Sequence, residues 1–362
     1  SASQLEKFNL CRFSYFCNYG LNVRERQRAE INPMQYGTIV HYILERFFGE
    51  YTKEEYLSLE EDKFQKIVCA YLAEYAVKYF GEEQLESNSF TYRLKTILDN
   101  VMYLMKHIME ELSQSEFFVA DCELKIGEDI PSYTIVLPDG HKIAVCGSVD
   151  RVDIMPRADI TYLRIIDYKT GTKQFKLSDI LYGINLQMLL YLHSIEASGC
   201  DKYGEIVPAG ILYMPATVPY ISSDSLKSID KLPDELNKKL KMNGLLLKDT
   251  EIIHGMDKTD AATYIPVKIK AGEPVSSTSL ATLAEFGKIF KKVDMLIAEM
   301  GKNIYSGNIE AKPLKGGHDS CEYCPYDSVC AYRQSNPITC FSVDNKTVIE
   351  EITNEINGKE EE

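Results

Sequence analysis

The chain has 362 residues, of which 45% are hydrophobic and 26% charged, and this balance excludes collagen-like and disordered classes. No run approaches the ~18–20 consecutive apolar residues needed to cross a bilayer, and Ser1 to Leu10 lacks the apolar core of a signal peptide; a soluble, cytoplasmic protein without membrane contact is expected. A net charge of −14 argues against bulk electrostatic capture of a polyanion, so any nucleic-acid contact needs a local basic surface or a basic partner.

In chain order, residues 1–20 read as a short helical entry carrying Cys11 and Cys17. Ile39, Val40, Ile43, Leu44 and Phe47 recur at helical spacing and predict a helix over 33–50. Amphipathic helices follow over 53–80 and 91–114. The text then turns strand-like: 119–126, 132–137, a turn at Pro138-Asp139-Gly140-His141, then 142–155 and 162–169. A long apolar helix over 177–198 leads to a strand over 205–214, which together with the preceding strand makes a strand–helix–strand unit. Residues 216–277 are mixed, with a Lys-rich helix near 234–242 and a strand over 262–269. A helix over 279–300 precedes a Gly/Lys/Pro-rich loop and a cysteine-dense segment. The tail from 344 has seven acidic residues against two lysines and is expected to be poorly ordered or a solvated helix.

Gly147-Ser148-Val149-Asp150 lies in one candidate strand and Ile165-Ile166-Asp167-Tyr168-Lys169-Thr170-Gly171 in another. Side chains at i and i+2 share a strand face, so Asp167 and Lys169 point together, with Tyr168 opposite. If the strands are neighbours, Asp150 joins them. Two carboxylates and an ammonium at the end of an apolar strand suit phosphodiester hydrolysis. Carboxylates hold a hard Mg²⁺ that activates water and polarises the phosphoryl group, and a lysine orients the water or stabilises developing charge. A surface salt bridge between Asp167 and Lys169 is the plainer alternative. His41 and Glu45 share a helix face, and the imidazole is a candidate metal ligand or proton-transfer group. Gln187 and Tyr191 share another face inside an apolar stretch; there they need partners, supplied by an active-site network, a nucleic-acid backbone or the core.

Ten cysteines in a cytoplasmic chain point to thiols or metal ligands rather than disulfides. Cys321, Cys324 and Cys330 form a C-x2-C-x5-C run that reads as a metal site needing a fourth ligand. Cys11 and Cys17 are candidates for that ligand by chemistry, and Cys340 is the local one. Spacing alone does not separate zinc from iron–sulfur. Cys69, Cys122, Cys146 and Cys200 read as small buried hydrophobes.

These pieces, taken together, resemble the nuclease domain of AddB-type helicase–nuclease subunits, within the RecB-like branch of the PD-(D/E)XK nucleases. The matching text is Ser3-Gln4-Leu5-Glu6 with Cys11 and Tyr15-Phe16; Gly37-Thr38 with His41 and Glu45; Gly147 through Asp153; Ile166 through Gly171; Leu186-Gln187 through Tyr191; and the cysteine run. Lys241 through Leu245, read as a linker, and Ile265 through Lys268, read as a strand, are also similar and argue against the shorter Cas4-like nucleases. Arg12 stands where the family often has Pro after the first cluster cysteine, and Val149 rather than Pro precedes Asp150; neither change removes a ligand.

The resemblance implies a mixed central β-sheet flanked by helices, with a helical N-terminal part. It implies a nuclease domain over 1–342: a helical part over 1–115, a catalytic sheet and helix over 116–215, an insertion over 216–277 and a helix with the cysteine segment over 278–342, ahead of an acidic tail over 343–362. Asp150 and Asp167 would bind catalytic Mg²⁺ or Mn²⁺, with His41 and the Tyr168 carbonyl as further ligands. Lys169 would be the catalytic lysine, and Gln187 and Tyr191 a supporting motif. Cys11, Cys321, Cys324 and Cys330 would hold a structural [4Fe–4S] cluster stapling the two chain ends. The implied activity is exonucleolytic cleavage of single-stranded DNA delivered by an AddA helicase partner during double-strand-break repair. The helicase-like part of such subunits is missing here, which implies an excised domain. A catalytically silent DNA-binding scaffold is the alternative from a different class. Candidate DNA contacts are Arg24, Arg26 and Arg28, or Lys288, Lys291 and Lys292.

Overall fold

The structure is a computed structural model that describes every residue except 25–32, 172, 220–231, 277, 331, 333–336 and 361–362. The chain opens with α1 (Ala2–Leu10), which buries Ala2, Leu5 and Phe8 on one stripe, then α2 (Arg12–Tyr15) and a π-helical turn at Phe16–Gly20. Helix α3 (Pro33–Glu50) places Pro at its first position and buries the stripe Ile39, Val40, Ile43, Leu44 and Phe47. The helix expected over 53–80 is two: α4 (Lys53–Leu57) and α5 (Glu61–Phe80). Thr52 and Glu55 form a reciprocal capping box on α4, and the break lets Tyr56 and Phe64 both close on Phe47. A short α6 (Glu82–Leu85) and the long α7 (Asn88–Ser113) complete the helical part.

Next come β1 (Phe118–Ile126), β2 (Tyr133–Val136), β3 (Lys142–Val145), β4 (Gly147–Arg157) and β5 (Ile160–Lys169). The strand expected over 142–155 is broken at Cys146. Its first part pairs with β2 as a separate hairpin closed by the Asp139-Gly140 turn, and its second joins the main sheet. The helix expected over 177–198 also divides. A 3-10 segment (Leu177–Tyr182) ends at Gly183, whose φ of +66° lies in the left-handed region, and α8 (Gln187–Ser198) starts four residues later. After α9 (Cys200–Tyr203), β6 (Glu205–Pro215) returns parallel to β5, which makes α8 the crossover helix.

Helix α10 (Leu232–Leu240) is followed by β7 (Asn243–Leu247), then α11 (Thr250–Met256), β8 (Lys268–Lys270), β9 (Glu273–Val275) and β10 (Leu280–Ala281). Two expectations are corrected here. Asn243 to Leu245 is not linker but part of β7, which pairs with β6 in the main sheet; within 262–269 only Lys268 and Ile269 are strand, the start of the short β8. The chain ends with α12 (Leu283–Tyr305), the parallel pair β11 (Leu314–Gly316) and β12 (Ile338–Cys340), and α13 (Asn345–Glu360).

The main sheet is mixed, in the order β1-β4-β5-β6-β7-β10, and helices flank it. One continuous core runs from α3, α5 and α7 through the sheet to α8 and α12. The acidic tail is not a free solvated helix: Val348, Ile352 and Ile356 are buried, and α13 packs on α12. No described helix is long and apolar enough to cross a membrane.

Candidate metal centre and cysteine pocket

Strands β4 and β5 are antiparallel, with Arg151 opposite Ile166; one step further in the same register sets Asp150 opposite Asp167. Strand alternation then sorts the neighbours. Arg151 and Tyr168 meet on the far face through a 3.2 Å bond from Arg151 Nη1 to the Tyr168 hydroxyl. On the near face Asp150 Oδ2 accepts the Tyr168 backbone N–H at 2.9 Å, and Lys169 Nζ forms an ion pair with Asp167 Oδ2. That oxygen is buried, with the Lys169 ammonium against it.

Helix α3 brings His41 to this end of the sheet. Its Nδ1 lies 3.1 Å from Glu123 Oε1 and 3.6 Å from Asp150 Oδ2, while Nε2 lies 3.4 Å from the Tyr168 carbonyl. Ligand atoms of His41, Glu123 and Asp150 all fall within 4.8 Å of one another. Glu45 is exposed and outside this group, so its place on the His41 helix face does not bring it in.

Glu123 belongs to none of the motifs read from the sequence. It sits in β1 between residues paired with Arg151 and Val149, hence opposite Asp150, and its φ of +49° is unusual for a side-chain-bearing residue inside a strand. The only sequence signal was an acidic residue in a loosely alternating strand. Ser148 Oγ donates to Glu123 Oε2 at 2.8 Å and fixes the carboxylate.

These side chains act strongly on one another's charge. Burial together with the neighbouring Asp167 pushes Asp150 up to about 7, against the opposing pull of His41 and the Tyr168 N–H. Burial disfavours charge on His41, but the Glu123 bond and the fields of Asp150 and Glu123 outweigh it and raise the imidazole to about 9. Burial likewise works against Glu123, yet bonds from His41 and Ser148 hold it below the ordinary glutamate range. A cluster that crowds this much negative charge beside an imidazole and a buried acceptor has the donor chemistry of a divalent-cation site.

Gln187 and Tyr191 also converge on the centre. Burial and the nearby Asp150 raise Tyr191 to about 12, against the opposing pull of the Gln187 side chain. A Cβ at Gly147 would stand 2.1 Å from the Tyr191 hydroxyl, so only glycine lets this ring lie against the start of β4.

Cys11, Cys321, Cys324 and Cys330 line one cavity of about 150 Å³ together with Phe13, Pro313 and Tyr332. Cys17 is buried nearby and feels Cys324 and Cys330, but it does not line the cavity. Cys340 packs in a separate small cluster with Ile184 and Leu314. The expected burial of Cys146 and Cys200 is corrected: both are exposed.

Of the candidate DNA contacts, Arg24 is exposed, and Arg26 and Arg28 lie outside the described residues. Lys292 is buried in an ion pair with Glu355 and Lys288 donates to Thr353, so both are committed to α13.

A mixed sheet carrying paired carboxylates and a lysine at the end of adjacent strands defines a nuclease core. Residues 1–331 match the PD-(D/E)XK nuclease superfamily, and the chain belongs to it. Its relatives include the B-type subunit of the ATP-dependent helicase/deoxyribonuclease of Thermoanaerobacter sp. (strain X514), 35% identical over 92% of this chain and 30% of the relative. The proteins of the same name from Clostridium acetobutylicum and Clostridium kluyveri are each 34% identical, over 92% and 100% of this chain and 30% and 32% of their own lengths. The chain thus spans about a third of the length of these curated relatives.

Proposed function

We propose that this domain is a divalent-metal-dependent deoxyribonuclease, the exonuclease module of a helicase–nuclease that processes broken DNA ends for recombination. It would hydrolyse phosphodiesters of single-stranded DNA handed over by an AddA-type helicase partner. The observation that carries the reading is the opposition of Asp150 and Asp167 across β4 and β5, with the ligand atoms of His41, Glu123 and Asp150 gathered within 4.8 Å of one another at that end of the sheet. The relatives' name, which joins a helicase to a deoxyribonuclease, supports it.

His41, Asp150, Asp167 and the Tyr168 carbonyl would hold Mg²⁺ or Mn²⁺, with Glu123 as an added oxygen donor. Such a cation supplies Lewis acidity and a water of lowered pKa. Lys169, next to Asp167, orients the attacking water and stabilises charge building on the phosphoryl oxygens. The Tyr168 N–H holds the Asp150 carboxylate in place, and Gln187 and Tyr191 hold the start of β4 behind it. The test is cleavage of linear single-stranded DNA with Mg²⁺ or Mn²⁺. Asp167→Ala is expected to lower the rate by more than ~100-fold. Equal cleavage by both proteins rejects the assigned centre, and no cleavage by the unsubstituted chain with either metal favours the scaffold alternative.

Cys11, Cys321, Cys324 and Cys330 would hold a structural [4Fe–4S] cluster. Their shared cavity supports this. Tetrahedral zinc with ~2.3 Å bonds draws its thiolates to roughly 3.8 Å apart. A cubane holds its thiolates further apart, and the iron or zinc content of the purified protein tells the two apart.

A further inference from the structure

Helix α8 begins without a cap of its own. Leu186 occupies the N-cap position and offers no side-chain acceptor, so the first backbone N–H groups need partners from elsewhere. One partner comes from the other end of the domain: Glu6 Oε1 on α1 accepts the Gln187 N–H at 3.1 Å. A carboxylate there also complements the positive end of the helix dipole.

One turn along α1, Asn9 Nδ2 donates to the Gly183 carbonyl at 2.9 Å. The fit is tight enough that a Cβ at Gly183 would stand 1.8 Å from that nitrogen. The elbow between the 3-10 segment and α8 contains two left-handed residues, Gly183 and Asn185, and α1 grips it at both ends. Glu6 also lies in the electrostatic field shared by Tyr191, Tyr213 and Lys173, close to the metal-facing carboxylates.

We infer that Glu6 is a positioning residue for the nuclease reaction: with Asn9 it fixes the elbow and first turn of α8 from the N-terminal helix, and so sets Gln187 and Tyr191 against the Asp150/Asp167 centre. This rests on the nuclease reading. It assigns a function to the Ser3-Gln4-Leu5-Glu6 segment beyond packing, since Leu5 faces the core while Glu6 faces the catalytic helix. Groups that orient a metal centre from behind its ligands typically change affinity or activity by about 10–100-fold when removed.

The experiment measures kcat and KM on single-stranded DNA with Mg²⁺, and Mn²⁺ affinity by titration, for the chain and for Glu6→Ala, Glu6→Gln, Glu6→Asp and Asn9→Ala. Glu6→Ala is expected to lower kcat about tenfold and weaken Mn²⁺ about tenfold, while KM for DNA stays within about twofold. Glu6→Gln keeps an oxygen acceptor and restores both. Glu6→Asp, shorter by one methylene, and Asn9→Ala fall between. If Glu6→Ala does not fold, Glu6→Asp decides the matter by the same two readouts. Folded variants with wild-type kcat and Mn²⁺ affinity overturn the inference and leave the nuclease reading standing. If the unsubstituted chain cuts nothing with either metal, the nuclease reading fails and the Mn²⁺ titration alone decides: weakening in Glu6→Ala with recovery in Glu6→Gln sustains the positioning role. Equal affinity across the series, or no Mn²⁺ binding at all, overturns it.

Discussion

Directly behind the candidate centre lies a set of charges with no solvent contact. Arg151 bonds Asp153 at 2.7 Å through both Nε and Nη2 and reaches Glu111 of α7 at 3.1 Å; Arg164 bonds Glu111 at 2.6 Å and Asp153 at 3.0 Å. Burial alone would push Asp153 up, but the two guanidinium groups outweigh it and hold its carboxyl below the ordinary range. Two cations balance two anions in charge, although Arg164 Nη1 has no hydrogen-bond partner, and the set is vulnerable to loss of any member. Arg151 follows Asp150 in the chain and bonds the Tyr168 hydroxyl, so this network fixes the backbone that carries both aspartates of the candidate centre. Glu111→Gln is expected to cost about 3–5 kcal/mol in urea unfolding, because both arginines are then left sharing Asp153. A cost within the ~0.5 kcal/mol of a surface change would contradict that account. At this scale Asp167 and Lys169 were legible as a pattern, because strand alternation is a local property, and Asp150 joined them only on the condition that the two strands pair. Glu123 was not, because its place opposite Asp150 depends on strand register and on one left-handed backbone angle.

Among the elements, α8 and α12 are joined by a polar clamp. His193 on α8 lies 3.4 Å from Glu196 and 3.3 Å from Asp294 of α12, stacks on Phe290, and meets the Tyr133 hydroxyl at 3.2 Å; that hydroxyl also donates to Asp294 at 2.9 Å. Burial opposes its charge, yet bonds to Asp294 and Glu196 raise it to about 9. A raised histidine adds stability that is complete below its unfolded pKa of roughly 6.5 and is lost as pH climbs through its folded value. Both carboxylates are a third exposed, so screening reduces the gain to about 1–2 kcal/mol. The stability difference between the chain and His193→Gln should therefore be widest near about pH 6 and close toward about pH 10 in paired unfolding curves; a constant difference would show that the histidine packs without carrying charge. The same scale explains the misread segments. Helical periodicity continues through 177–198 in the sequence, but Gly183 and Asn185 bend the chain there and α1 fills the bend. The acidic tail looked soluble by charge, while its Val348, Ile352 and Ile356 stripe has the i, i+4 spacing of a docked helix.

At the level of the whole molecule, Cys11 and the start of α2 share one cavity with the Cys321–Cys330 segment. A cluster there would close a loop from residue 11 to residue 321, the kind of long loop whose constraint removes most unfolded-chain entropy. Cys324→Ser is expected to lose its iron and several kcal/mol of stability, because ligand binding is folding free energy. Asp167→Ala is expected to keep both iron and melting temperature, so the two substitutions separate staple from chemistry. An iron-free Cys324→Ser protein that melts like the unsubstituted chain would remove the staple role.

The sequence by itself determined the helix stripes, the shared face of Asp167 and Lys169 and the cysteine run, since each follows from periodicity or spacing within a few residues. Only the tertiary structure decided which acid completes the centre, which cysteine joins the run in one cavity, and that Glu6 caps a helix 181 positions further along the chain. These are contacts between segments far apart in sequence, and they are set by sheet register and the meeting of helices, which no local pattern encodes.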